Sequence, residues 1–218
     1  MNDISTANVQ LSVGEIISNG ISSGLKNFLN LLLTGILFAL TFWIPYLNIG
    51  TFIGLQDLVP KMSRKEPINP TEIFDAKYRK NFGEFFLLMA LFYAGVITGV
   101  IFLFVGALVV QIAWMLALPL FVDKGTGPIE SLRTSHQLTH GHKMIIFLAQ
   151  LVFGIGIGII FLIFYLINET LGSIVLFLLY LVLFPILLGI QAYIYGKLTA
   201  VLDSPSSSAQ AVDPVPPM

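Results

Sequence analysis

Charged residues are absent from four long stretches of the chain, 27–56, 85–122, 144–168 and 170–196, and crowd into the segments between them. A hydrocarbon core about 30 Å thick is crossed by about 20 helical residues, so the third and fourth stretches each read as one crossing. The second would form a helix roughly 57 Å long at 1.5 Å per residue. It reads instead as a hairpin, 85–103 and 107–122, turning near Gly106. In the first, Pro45 ends the apolar run 28–44, and Asn48 and Gly50 follow. Proline removes a helix hydrogen bond, so a short second segment is predicted at 47–60, with a re-entrant hairpin as the alternative. The pattern predicts an all-α polytopic transmembrane bundle of about six membrane segments, arranged as three hairpins with short interfacial helices on one side.

The bundle occupies 28–200, with polar loops at 61–84 and 123–143. Ahead of it, 1–27 hold an N-terminal amphipathic interfacial helix. Val13, Ile16, Ile17, Gly20, Ile21, Gly24 and Leu25 recur at helical spacing, opposite Glu15, Ser18, Asn19, Ser22, Ser23 and Lys26. The tail 201–218, rich in proline and serine, is predicted to be disordered. The two loops echo each other: Pro70, Glu72, Phe74 and Gly83 align with Pro128, Glu130, Leu132 and Gly141. Each has a capping residue, a proline at the first helical position and a glycine stop, predicting helices at 70–80 and 128–140.

Composition agrees with the pattern. Hydrophobic residues make up 56% of the chain and charged residues 11%, against about a quarter charged in soluble domains. Net charge is −1 and cysteine is absent. There is no basic field for nucleic acid and no thiolate chemistry. Residues 1–10 lack the basic segment of a cleaved signal peptide, so the first apolar span is expected to target the chain and stay in it. With six crossings, all 11 Lys and Arg residues fall on one side. The positive-inside rule makes that side the cytoplasm, with both termini there.

Candidate chemistry is sparse. His136 and His140 are one helical turn apart, and His142 lies just beyond Gly141; together they are the only candidate metal ligands, but no H-E-x-x-H pattern accompanies them. Ser131 and Ser135 lie near His136 without an acidic orienting group, so no catalytic constellation is assigned and no cofactor is expected. Glu130, Arg133, Ser135 and His136 are the expected cytoplasmic contact residues. Gln111 and Gln191 are polar groups at membrane depth, where amides face other helices or a solute path. The cations of 61–80 suit contact with anionic lipid headgroups. Gly95 and Gly99, like Gly154 and Gly158, permit close helix approach, within the monomer or at a homo-oligomer seam.

The segment "LPLFVDKGTGPIESLRTSHQLTHGHK", with Pro119, Asp123, Glu130, Ser131, Leu132, Ser135, Leu138, Thr139, Gly141 and His142, resembles a pattern in poorly characterised bacterial and archaeal membrane families. These are the YciC-like proteins and the membrane domain found beside glycerophosphoryl diester phosphodiesterases. The resemblance implies a six-segment bundle in the bacterial inner membrane and transfers no catalytic residue.

The expected function is that of a non-enzymatic multi-pass protein that organises lipid or binds a cytoplasmic or membrane protein. A passive channel or transporter past Gln111 and Gln191 is the alternative, and a histidine-metal membrane enzyme the third reading. The cysteine-free chain is a ready background for topology mapping. A membrane-impermeant thiol reagent should label Arg64→Cys and Arg133→Cys from one face and, with six crossings, Tyr46→Cys from the other.

Overall fold

The computed structural model describes residues 9–101 and 105–203. Most of the predicted tail therefore lies outside the described residues, as does the far end of the 85–103 segment. Among the described residues nine α-helices follow in order: α1 (Val13–Lys26), α2 (Phe28–Thr41), α3 (Pro45–Ser63), α4 (Phe82–Ile101), α5 (Val105–Trp114), α6 (Ala117–Lys124), α7 (Pro128–Thr139), α8 (Lys143–Ile167) and α9 (Glu169–Thr199). Two short 3-10 turns, Pro70–Phe74 and Ala76–Arg79, lie between α3 and α4. No strand occurs among the described residues.

Among the described residues four units are long and apolar enough to cross a membrane: α4, α5 with α6, α8 and α9. A fifth exists if α1 and α2, bent by 76° at Asn27, act as one. The count is thus four to five where six were expected: α3 does not qualify, and α2, with 14 residues, does so only together with α1. The α3 helix carries Asn48, Gln56, Asp57 and Lys61, and ten of its residues are buried against the rest of the protein. Both its ends lie beside the charged loops. Tyr46 packs its ring 5.4 Å from that of Phe82, at the start of α4. At the other end, Ser63 lies against Gly196 of α9.

The expected helix at 70–80 is replaced by the two 3-10 turns. Asp75, with extended backbone (ψ 137°), separates them, and Asn69 caps the first by accepting from the Thr71 amide at 3.1 Å. The α7 half of the echo is a regular helix, and Gly141 provides the left-handed residue after it (φ 83°).

α9 is the mast of the fold, touching α1, α2, α3, α7 and α8. A Cβ on Gly189 would lie 2.2 Å from the Gly20 carbonyl oxygen, and one on Gly24 would lie 2.5 Å from that of Pro185. The apolar stripe of α1 is therefore docked helix-to-helix on α9, with Ile16, Gly20 and Gly24 buried. In the α4–α5 hairpin, Gly95 faces the Trp114 ring and Gly99 the backbone of residues 106 and 107, so this pair serves packing within the chain. Asn168 alone joins α8 to α9 and caps the latter, accepting from the Thr170 amide at 2.8 Å. Towards that turn the outward surface is apolar: Ile155, Ile159, Ile163, Leu166, Leu171 and Phe177 are all exposed. So large a patch suits lipid and not water.

Replacing Gly189 by Ala should force α1 and α9 apart. Overpacking of this kind costs about 1–3 kcal/mol, which for a chain of this size lowers the melting midpoint by roughly 5 °C. Gly156→Ala, where an added Cβ meets nothing within 4 Å, should leave it unchanged. Thermal unfolding of both variants in detergent checks this.

Candidate functional site

Between α5 and α6 the helix breaks for two residues, Met115 and Leu116. Pro119 is one cause, since it lacks the amide that would donate to the Met115 carbonyl. In an apolar environment such orphaned groups need partners from within the protein, and side chains of other helices provide them. Gln191 Nε2 of α9 donates to the Met115 carbonyl at 2.8 Å. Ser135 Oγ of α7 donates to the Ala113 carbonyl at 2.7 Å and accepts from the Leu116 amide at 3.2 Å. Thr139 Oγ1 also lies within reach of the Ala113 carbonyl, at 3.3 Å.

This fixes the role of α7's inner face. Ser131, Leu132, Ser135, Leu138 and Thr139 are all buried. Ser135, expected to be a contact residue, is wholly buried and hydrogen-bonded to the break. Ser131 bonds to the Gly127 carbonyl at 3.0 Å and to the Thr126 hydroxyl at 2.7 Å. The remaining expected contact residues, Glu130, Arg133 and His136, are exposed on the outer face beside Ile129. His136 and His140 lie one turn apart, their rings tilted by 51° with centroids at 6.3 Å, whereas His142 is buried. Partial burial, with Lys143 and His140 nearby, pushes the His136 imidazole down from its usual pKa. No group of three His, Asp or Glu side chains that could hold a metal ion occurs among the described residues.

Above the break lies a cavity of about 540 Å³ between α3, α4, α5, α8 and α9. Gln111 and Gln191 both line it, and Gln56 and Gln150 join them. Phe92, Trp114 and Phe153 form aromatic walls, and no ionisable side chain contributes. Gln191 is engaged at the break, whereas Gln56, Gln111 and Gln150 have no side-chain hydrogen bond among the described residues. Gln111 and Gln150 are exposed, on the flank where Leu108, Val109 and Leu151 are exposed too, so the cavity opens sideways. Sequence reasoning passed over Gln150, although its signal was there: a lone polar residue inside the 144–168 run.

On the other side of α3 is an ionic layer. Asp57 is buried. It accepts from the Tyr78 hydroxyl and lies 3.4 Å from both Lys61 and Lys77; Lys61 also pairs with Glu72. Burial first, and then the bond to Asp57, pushes the Tyr78 hydroxyl far above its ordinary pKa, so it remains a donor. Arg64 bridges Glu66 at 2.6 Å and Asp123 at 2.8 Å, and Asp123 accepts from Tyr195 of α9 at 2.6 Å. Of the six cations in 61–80, Lys61, Arg64 and Lys77 are therefore held in ion pairs within the protein, and Arg79 donates to the Phe74 carbonyl at 3.2 Å.

No family model, curated protein or solved structure matches the chain. The resemblance to the YciC-like group thus stands on its motif alone.

Ser135→Ala removes both bonds to the break. Leaving buried polar groups unpaired costs about 1–3 kcal/mol, and adding Thr139→Val should lower the melting midpoint further. His136→Ala, one residue on but exposed, should leave the midpoint in detergent where it is.

Proposed function

We propose that the chain is a non-enzymatic integral membrane protein that holds a neutral amphiphile, taken sideways from the bilayer, in the glutamine-lined cavity. One observation carries this reading: three partnerless amides converge with three aromatic rings at a laterally open site that lacks ionisable groups. An amide in hydrocarbon without a hydrogen bond is costly. Ester carbonyls and hydroxyls would satisfy it, while acyl chains would cover Phe92 and Phe153. A free ion would find no countercharge there. This gives lipid organisation a specific seat, the aspect of the expected function that the geometry favours. A passive solute path is less well supported, because α3 and its Asp57–Tyr78–Lys77 layer lie under the cavity.

The same reading concerns topology. We infer four crossings, α4, α5–α6, α8 and α9, with α1, α2 and α3 gathered at the cytoplasmic face. Both ends of α3 touch elements beside the basic loops. Trp43 and Tyr46, between α2 and α3, are 83% and 65% exposed, as befits aromatic residues at a membrane interface. Four crossings still leave all 11 cations on one side. They reverse the expectation for Tyr46→Cys, which then labels from the same face as Arg64→Cys.

The outer face of α7 supports a second reading, partner docking, because Ile129 is 62% exposed beside Glu130 and Arg133.

The cavity is tested with a photoactivatable diacylglycerol in nanodiscs. Cross-links should map to α5 and α8 and fall several-fold in Gln111→Leu/Gln150→Leu. Equal labelling of the variant would remove the proposal.

A further inference from the structure

A second cavity, of about 600 Å³, lies on a different face of α9, where the ends of α1 and α3 meet it. Lys26 of α1, Lys65 just after α3 and Lys197 of α9 line it, with Ser22, Ser23 and Ser63 among them. The ammonium groups of Lys26 and Lys65 have no ion pair or hydrogen bond among the described residues, and Lys197 holds its ammonium 5.7 Å from the Tyr193 ring centroid. Other ammonium groups at this end are neutralised: Lys61 and Lys77 by Asp57, and Lys124 by Asp203. Glu66, the one acidic residue in the lining, is bound by Arg64.

Lysines at helix C-termini have a simple use, complementing the helix dipole, and that accounts for Lys26 and Lys197 singly. It does not account for three helix ends bringing unneutralised ammonium groups to one hydroxyl-lined hollow. Lys65 takes the left-handed φ of 59° that ends α3, its amide donating to the Met62 carbonyl and the Glu66 amide to the Lys61 carbonyl, and its side chain lines the cavity. Like charges held together around a cavity favour an anion between them.

We propose that this cavity binds a phosphate group, the three ammonium groups supplying charge and the serine hydroxyls hydrogen bonds. Roughly 20 residues of α9, about 30 Å, counted from Glu169 reach the neighbourhood of Gly189. The lining residues Tyr193 to Ala200 then lie at the depth of lipid headgroups. Leu25 and Leu29, flanking Lys26, are exposed and offer an apolar path for an acyl chain. The phosphate of an anionic phospholipid and free phosphate share this chemistry. The placement at headgroup depth rests on the topology above; the cavity is independent of the glutamine site.

Thermal unfolding of the full chain in detergent separates the outcomes without relying on topology. Phosphatidylglycerol should raise the melting midpoint by several degrees and phosphatidylcholine should not. Lys26→Gln/Lys197→Gln should lower the unliganded midpoint only slightly, through the lost helix-end charges and the Tyr193 contact, and lose the phosphatidylglycerol shift. Lys26→Arg/Lys197→Arg should retain the shift, and so should Lys80→Gln/Arg133→Gln, which removes equal charge elsewhere. A saturable shift with inorganic phosphate alone, lost in the same pocket variant, would support the site and assign it to a soluble anion. A shift that survives in Lys26→Gln/Lys197→Gln, or that falls equally in both glutamine doubles, would overturn it.

Discussion

A peptide group that leaves a helix inside an apolar bundle has no water to turn to, and this constraint organises the molecule. Pro119 leaves the Met115 carbonyl without its helical donor, and the neighbouring Ala113 carbonyl and Leu116 amide lose theirs at the same break. All three are recovered by side chains from α7 and α9. Each repair ties separate parts of the chain together. Gln191 joins α9 to the α5–α6 unit, and Ser135 and Thr139 bind α7 beneath it. Buried polar networks of this kind fix a unique arrangement when every member is satisfied. The polar segment 123–143, odd in so apolar a chain, is there in good part to close this break from below.

The break also explains why a cavity sits above it. Where the α5–α6 unit departs from a continuous helix, its neighbours α8 and α9 do not close fully on it, and polar side chains at that level turn into the gap. Gln191 serves both features: its amide nitrogen supports the broken backbone, and its side chain forms part of the cavity wall. A ligand at the cavity would thus lie against the very element that positions α7, so occupancy of the cavity and the placement of α7 share a physical link.

Much of this was legible in the sequence. The start of α1 at Val13, the long apolar helices α8 and α9, the pairing of α4 with α5 and the capped α7 follow from periodicity, proline and glycine positions, and charge-free length. Gln111 and Gln191 stood out because an amide in an apolar run demands a partner. What stayed hidden depends on partners distant in the chain. Nothing local to Ser135 distinguishes a contact serine from one that caps a carbonyl 22 residues away. The loop 70–80 reads as a helix until buried Asp57 claims Tyr78 and Lys77, and the second turn departs from the first at Asp75. The convergence of Lys26, Lys65 and Lys197 joins three regions that no sequence window contains.

The number of crossings shows how a strong sequence rule can be satisfied by two different folds. The positive-inside rule constrains only which segments share a face. Deleting an adjacent pair of crossings moves no cation, so six and four are equivalent by that measure. What separates them is the character of the pair. A spanning helix has to place its polar groups against protein at every depth, and α3 carries Asn48, Gln56, Asp57 and Lys61 along nearly its full length. Laid against the charged end of the bundle, the same helix turns Asp57 towards Lys61 and Lys77 and Gln56 towards the cavity, and packs Leu55, Leu58 and Val59 into the core. Asn48, Asp57 and Lys61 then each meet a polar partner within the protein, and the proposed count of four rests on that.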